Sequence, residues 1–251
     1  SQSLYSSMNN NPISFNDPLG DTLAGVNKIS AKRERKIINQ TFSGKDGREL
    51  RKLFKIGRDG MTFNAIDKKA FDGAVSKLKS SDAQAVAKGY MKTINSEKSV
   101  FVNVLKGNET AQIENNSIGN QFKSTDGSPS LINSMSGSQY ENFGGGVTSP
   151  ASSQGNYLVG LLMSTNNATN YINRVSGEDV SQSPSDGELS AHEIVGHALG
   201  GIYGFGSNSS NSIRNTNAYL RANDLDIYRS GKGHGGEMSE EEANAIPGYL
   251  R

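Results

Sequence analysis

Cysteine and tryptophan are absent from this 251-residue chain, and histidine occurs only three times. Without cysteine no disulfide can staple the fold, and any zinc site must be built from His, Asp, Glu and water. Such a chain can work in oxidising or reducing surroundings. No run approaches the roughly 18 apolar residues that span a bilayer, and the first residues lack the charged-then-apolar order of a signal peptide. Charge of one sign is lacking too: 26 Lys and Arg against 25 Asp and Glu leave a net +1, which gives no general pull towards nucleic acid or membrane. Apolar residues make up 33% and glycines number 29, a lean composition that predicts long polar loops around a modest core. The length still allows one generous domain, or a domain with an arm. The chain begins at Ser1 rather than methionine, as expected of a fragment cut from something longer, or of tag removal.

The scarcity of histidine makes its placement informative. Two of the three lie in Ser185–Gly201, SDGELSAHEIVGHALGG, where Glu193 follows His192 directly and His197 stands five residues beyond His192. This is close to H-E-x-x-H, in which one helix offers two imidazoles to zinc and the glutamate acts as general base. One extra residue separates the histidines. On a regular helix, positions i and i+5 are turned apart by about 140°, so a shared metal demands a locally widened turn of the π type at Ile194 to Gly196. Gly196 makes such a distortion cheap. Ser185-x-x-Glu188 reads as a capping box, Asp186 offers a second cap, and the helix is expected to begin near Gly187. Ala191, Val195, Ala198, Leu199 and Ile202 trace a buried face that His192 and His197 flank.

A catalytic zinc site takes three protein ligands and leaves one position open. Tyr203 occupies the place of a third histidine in the long zincin motif, which excludes that pattern. Two sources of a third ligand remain: His234, on the glycine-flanked loop Ser230-Gly-Lys-Gly-His-Gly-Gly, or the acidic cluster Glu237, Glu240, Glu241 and Glu242, whose plain reading is a solvated acidic helix start.

Elsewhere the patterns predict packing. Lys28–Arg58 holds eleven Lys or Arg and three acids, Glu34, Asp46 and Glu49, a local excess of eight. Leu50, Leu53 and Phe54 place an amphipathic helix in part of it. It is a solvated face, or a contact for an acidic partner or a negatively charged membrane. Ala70, Phe71, Ala74, Val75 and Leu78 stripe a helix within Asn64–Ser80, and Ser81-Asp82 caps another through Met91. Ser99–Leu105 and Tyr157–Ser164 read as strands, the latter central or bordering the site. Between them short strands and loops are expected, and the Gly144-Gly145-Gly146 run is not a phosphate loop, since no G-K-[ST] follows. Asn211–Arg229 predicts a helix and a turn. Tyr219, Tyr228 and Arg229 are candidates to stabilise an oxyanion, with packing the simpler role for each.

Several stretches resemble known families. H-E-x-x-G-H is similar to the signature of dipeptidyl peptidase III zinc peptidases, whose helix accommodates the insertion; EEEANA is distantly similar to the E-E-x-x-A-E helix that supplies their glutamate ligand, although Asn244 and Ala245 depart from it. NNPISFNDPLG, with its proline turns at Pro12 and Pro18, resembles the end of the core in Rhs/YD-repeat proteins, where a variable toxin follows a shell of repeats. NTNAYLRANDLDIYRSGKGH is similar to the stretch after the zinc helix in metallopeptidase toxins of that group, with Asn211 or Thr216 where those relatives carry a glutamate.

Taken together, residues and resemblances predict an α+β chain of zincin-like type: an arm or Rhs-core remnant over 1–21, then a toxin domain over 22–251, helical over 28–95 and catalytic over 96–251 with a small mixed sheet. The expected activity is hydrolysis of a peptide bond in a target-cell protein, with zinc on His192, His197 and His234 and Glu193 as base. The expected setting is secretion or delivery into another cell, with an immunity protein and an Rhs shell as partners and neither nucleic acid nor a membrane span. A cell-wall amidase, a non-catalytic binding or adhesion tip, and a metal-stabilised structural module are the alternatives.

Overall fold

The computed structural model describes residues 23–110, 135–150, 155–205, 209–232, 234 and 236–250. The predicted arm over 1–21 lies outside them, as does much of the polar stretch between the two predicted strands. The described residues form an α+β structure with two small sheets where one was expected.

The first sheet orders its strands β1 (Leu23–Gly25), β2 (Val100–Lys106), β4 (Tyr157–Met163) and β3 (Gly146–Pro150). β1, β2 and β4 run parallel, with Val100 opposite Tyr157 and Val104 opposite Leu161, while β3 runs antiparallel along β4 at the edge. Both faces of β2 are covered. Val100, Val102 and Val104 join the main core with Val159 and Leu161 of β4, whereas Phe101 and Leu105 join a smaller cluster with Leu158 and Leu162. Alternate side chains of a strand point to opposite faces, so a run with no polar stripe belongs between two layers. The second sheet is a three-stranded antiparallel one of β6 (Asp179–Gln182), β5 (Thr169–Asn173) and β7 (Ile227–Tyr228).

Helices cover the main-core face. α1 (Lys28–Thr41) is capped by Asn27, whose side chain accepts from Ser30 N, and buries Ala31, Ile37 and Ile38. The short α2 (Arg48–Arg51) buries Leu50, with Phe54 beyond it. α3 (Lys68–Val75) is shorter than its stripe predicted: Asp67 starts it by accepting from Ala70 N, and Ala70 is exposed. α4 (Ser81–Ile94) is capped by Ser80 rather than by Ser81-Asp82. Val86 and Tyr90 of α4 lie in the same core as Ala191, Val195 and Leu199 from the histidine helix. A short helix, α5 (Gly137–Glu141), precedes β3. No helix among the described residues is long and apolar enough to cross a membrane.

Candidate metal centre

The helix carrying the histidines is wound in three parts: α6 (Asp186–Ser190), a π-wound segment Ala191–Ala198, and α7 (Leu199–Ile202). Ser185 starts it, its hydroxyl accepting from Glu188 N at 3.1 Å. The rest of the predicted cap is used differently. Glu188 turns inward and accepts from the Tyr171 hydroxyl at 2.7 Å, and Asp186 accepts from Ser164 N at 2.7 Å, tying the helix start to the residue after β4. The wide winding demanded by the five-residue spacing is present: Leu199 N donates to Ile194 O, five residues back. This brings His192 and His197 to neighbouring positions, their ring centroids 4.9 Å apart.

The reason for Gly196 is more specific than ease of bending. A Cβ there would lie 2.5 Å from Ser212 Cα, so α8 (Ser209–Ala222) can press against the wound segment only because the side chain is missing. The close approach has a chemical consequence one turn further along α8. Thr216 Oγ1 donates to Ser212 O at 2.9 Å and sits 2.8 Å from His192 Nδ1. Its single proton being engaged, the hydroxyl accepts from Nδ1–H, which leaves the lone pair of His192 on Nε2. Tyr249, in the 3₁₀ turn Gly248–Leu250, donates to Val195 O at 2.9 Å and holds the segment from its other side.

His234 completes the group. Its loop folds back through His234 N to Gly231 O at 2.8 Å and Met238 N to Ser230 O at 2.8 Å, with Gly231 at φ +84°. His234 Nε2 lies 3.1 Å from His192 Nε2 and 3.4 Å from His197 Nε2, and ligand atoms of all three lie within 4.8 Å of one another. Two nitrogens bound to one ion in tetrahedral geometry at 2.0–2.1 Å are separated by about 3.3–3.4 Å. The donor set and its spacing therefore fit a metal ion, and the three histidines are placed to hold one. Burial, followed by the Arg229 charge, pushes His192 well below its usual range and His234 down to about 4, so both imidazoles are neutral at pH 7. The acidic cluster is engaged elsewhere: Glu240 pairs with Arg174 at 2.7 Å, Glu242 accepts from Ser239 N at 3.0 Å in a capping box, and Glu237 and Glu241 are exposed.

Glu193 is buried, and burial pushes its carboxyl up to about 7 against the hydrogen bond from Thr148 and the Arg229 charge. Thr148 is on the edge strand β3, and its hydroxyl donates to Glu193 Oε2 at 2.6 Å. A Cβ on Gly146 would stand 2.8 Å from Glu193 Cγ and Oε1, so the last glycine of the triple run is the space into which the carboxylate fits. Sequence reasoning missed both. The triple glycine was the available signal, but only as a close backbone approach to something unspecified.

The oxyanion candidates divide. Tyr219 accepts from Ser185 Oγ at 3.0 Å, and Tyr228 lies under the Arg174 guanidinium at 5.1 Å; both are packing partners. Arg229 is at the site. Asn217 grips its backbone from both sides, at 2.8 and 2.9 Å, and its Nη1 is 3.4 Å from His192 Nδ1. Because that nitrogen's proton is already directed at Thr216, it offers the guanidinium no lone pair, and no carboxylate pairs with Arg229 among the described residues. Compared with protein-family models, with curated proteins and with solved structures, the chain has no match.

Proposed function

We propose that this chain is a zinc-dependent peptidase of zincin-like type that acts as a secreted toxin on a protein of another cell. The observation that carries the reading is the convergence of His192, His197 and His234 nitrogens next to a buried carboxyl. Among the described residues the cluster contains three ligands and no fourth, as suits a catalytic site with an open position better than a closed structural one. The toxin setting rests on the Rhs-like opening stretch.

A zinc ion at this site supplies Lewis-acid polarisation of a carbonyl and makes water a stronger acid. The chain's own part is to present neutral nitrogen lone pairs and to move one proton. Glu193 takes it from the attacking water as the water oxygen bonds to the carbonyl carbon, then passes it to the amine nitrogen as the C–N bond breaks. Thr148 holds the carboxylate in place from the edge strand.

The test combines metal analysis with expression of variants in susceptible cells. Wild type is expected to bind one zinc and to be toxic, Glu193→Ala to bind zinc without toxicity, and His234→Ala to lose both. Purified wild type that takes up no zinc would make the chain a binding tip. Full toxicity in Glu193→Ala would make the metal structural.

A further inference from the structure

A second charged feature lies away from the histidines and shares no residue with them. α1 turns Ala31, Ile37 and Ile38 into the core. Its outer face carries Lys32, Arg35, Lys36 and Asn39 at the i, i+3, i+4, i+7 spacing of one helical stripe. With Arg51 at the end of α2 these residues line a groove of about 500 Å³ in which no acidic side chain takes part.

The cations are held without being neutralised. Arg35 Nε donates to Phe54 O at 3.0 Å, and Arg51 donates to Gly44 O at 2.9 Å and to Phe42 O. Backbone carbonyls orient the guanidinium groups but bring no negative charge, so most of each fork remains free for an acceptor. Among the described residues none of Lys32, Arg35, Lys36 or Arg51 has a carboxylate within ion-pair distance, whereas the neighbouring Arg33 and Lys52 do, on Glu109 and Glu49.

We propose that this groove docks an acidic polypeptide segment, whose carboxylates pair with Lys32, Arg35, Lys36 and Arg51. No aromatic side chain lines the groove to stack a base.

The test titrates the full chain with a labelled ten-residue Asp/Glu-rich peptide, a single-stranded DNA decamer, and vesicles of phosphatidylcholine with one quarter phosphatidylserine. The peptide is expected to bind one to one and to weaken about tenfold or more between 50 and 300 mM salt, as screened ion pairs do. Lys32→Glu/Lys36→Glu should weaken the peptide at least tenfold, whereas Lys69→Glu/Lys98→Glu, which reverses the same charge at other exposed sites, should change it less than threefold. The proposal is overturned if the peptide does not bind at 50 mM salt, if both double variants weaken it alike, or if DNA or vesicles bind more tightly and are the ligands lost on Lys32→Glu/Lys36→Glu. All four lysines are exposed, and equal thermal unfolding of the two double variants checks that folding is not the cause.

Discussion

Two buried glutamates, Glu34 on α1 and Glu193 on the wound helix, are both pushed up to about 7, and in both burial is the largest cause. Their neighbours are unlike. Glu34 accepts from Ser190 Oγ at 2.7 Å, Ser190 pairs with the Tyr90 hydroxyl at 2.7 Å, and Glu34 Oε2 has no partner among the described residues. That network joins α1, α4 and α6 through the core. Glu193 follows a metal-ligand candidate directly and is gripped by a threonine from an edge strand. A perturbed carboxyl is thus a poor sign of function taken alone; what distinguishes the two is the chemistry arranged around each.

The largest effect that sharpens this comparison is on hydrolysis. Glu193→Gln is expected to lower the rate by roughly 10²–10⁴, the usual worth of a general base, with zinc stoichiometry unchanged, while Glu34→Gln stays within a few-fold of wild type. Equal losses in the two variants would break the distinction.

Stability against pH tests Glu34 as a buried acid. Glu34 rises from 4.5 to about 7 on folding, so between those values the folded state holds more protons than the unfolded, and stability falls as pH rises. The share from Glu34 is on the order of 3 kcal/mol, fully present below about pH 4.5 and lost as pH passes through about 7. Urea unfolding of the metal-free protein at several pH values should give a flatter curve for Glu34→Gln. Glu188 and Glu193, raised to about 7 in the same direction, keep part of the slope in that variant. A slope identical to wild type would mean that Glu34 is not the buried acid described.

Smaller effects probe what holds the histidines. Thr216→Val removes the acceptor for His192 Nδ1–H and should weaken zinc binding by about 10–100-fold, as loss of a partner behind a metal ligand does; isothermal titration with zinc measures it. Gly196→Ala forces α8 away from the wound segment and should lower stability by about 1–3 kcal/mol, the usual cost of overpacking. An unchanged denaturation midpoint would show that the contact with Ser212 relaxes freely.

Much of the site was legible before the fold. Three histidines in 251 residues with no cysteine, two of them flanking a glutamate at a five-residue interval, implied both a metal and a widened helix, since helical geometry permits no other way for the two rings to meet. Ser185 as cap, the apolar stripe of the helix and the strands at Val100–Lys106 and Tyr157–Met163 were likewise written in local pattern. Local pattern was weaker where a side chain had a choice of partners: Glu188 looked like half of a capping box, but a buried tyrosine hydroxyl offered it a better bond than a solvent-facing backbone N–H.

Hydrophobic spacing and the counting of scarce residue types therefore carried the elements and the motif, because both depend on neighbours along one helix or strand. Long-range pairing carried the remainder. Thr148 reaches Glu193 across 45 positions, Thr216 reaches His192 across 24, and His234 reaches the same ring across 42. The placing of His234 beside the other two rings, with the four glutamates elsewhere, depended on where the loop after β7 folds back, and the assembly of the basic groove depended on Arg51 reaching the carbonyls of Phe42 and Gly44 just after α1. Contacts of this kind are set by which surfaces pack together, and nothing in the residues on either side of a position encodes its distant partner.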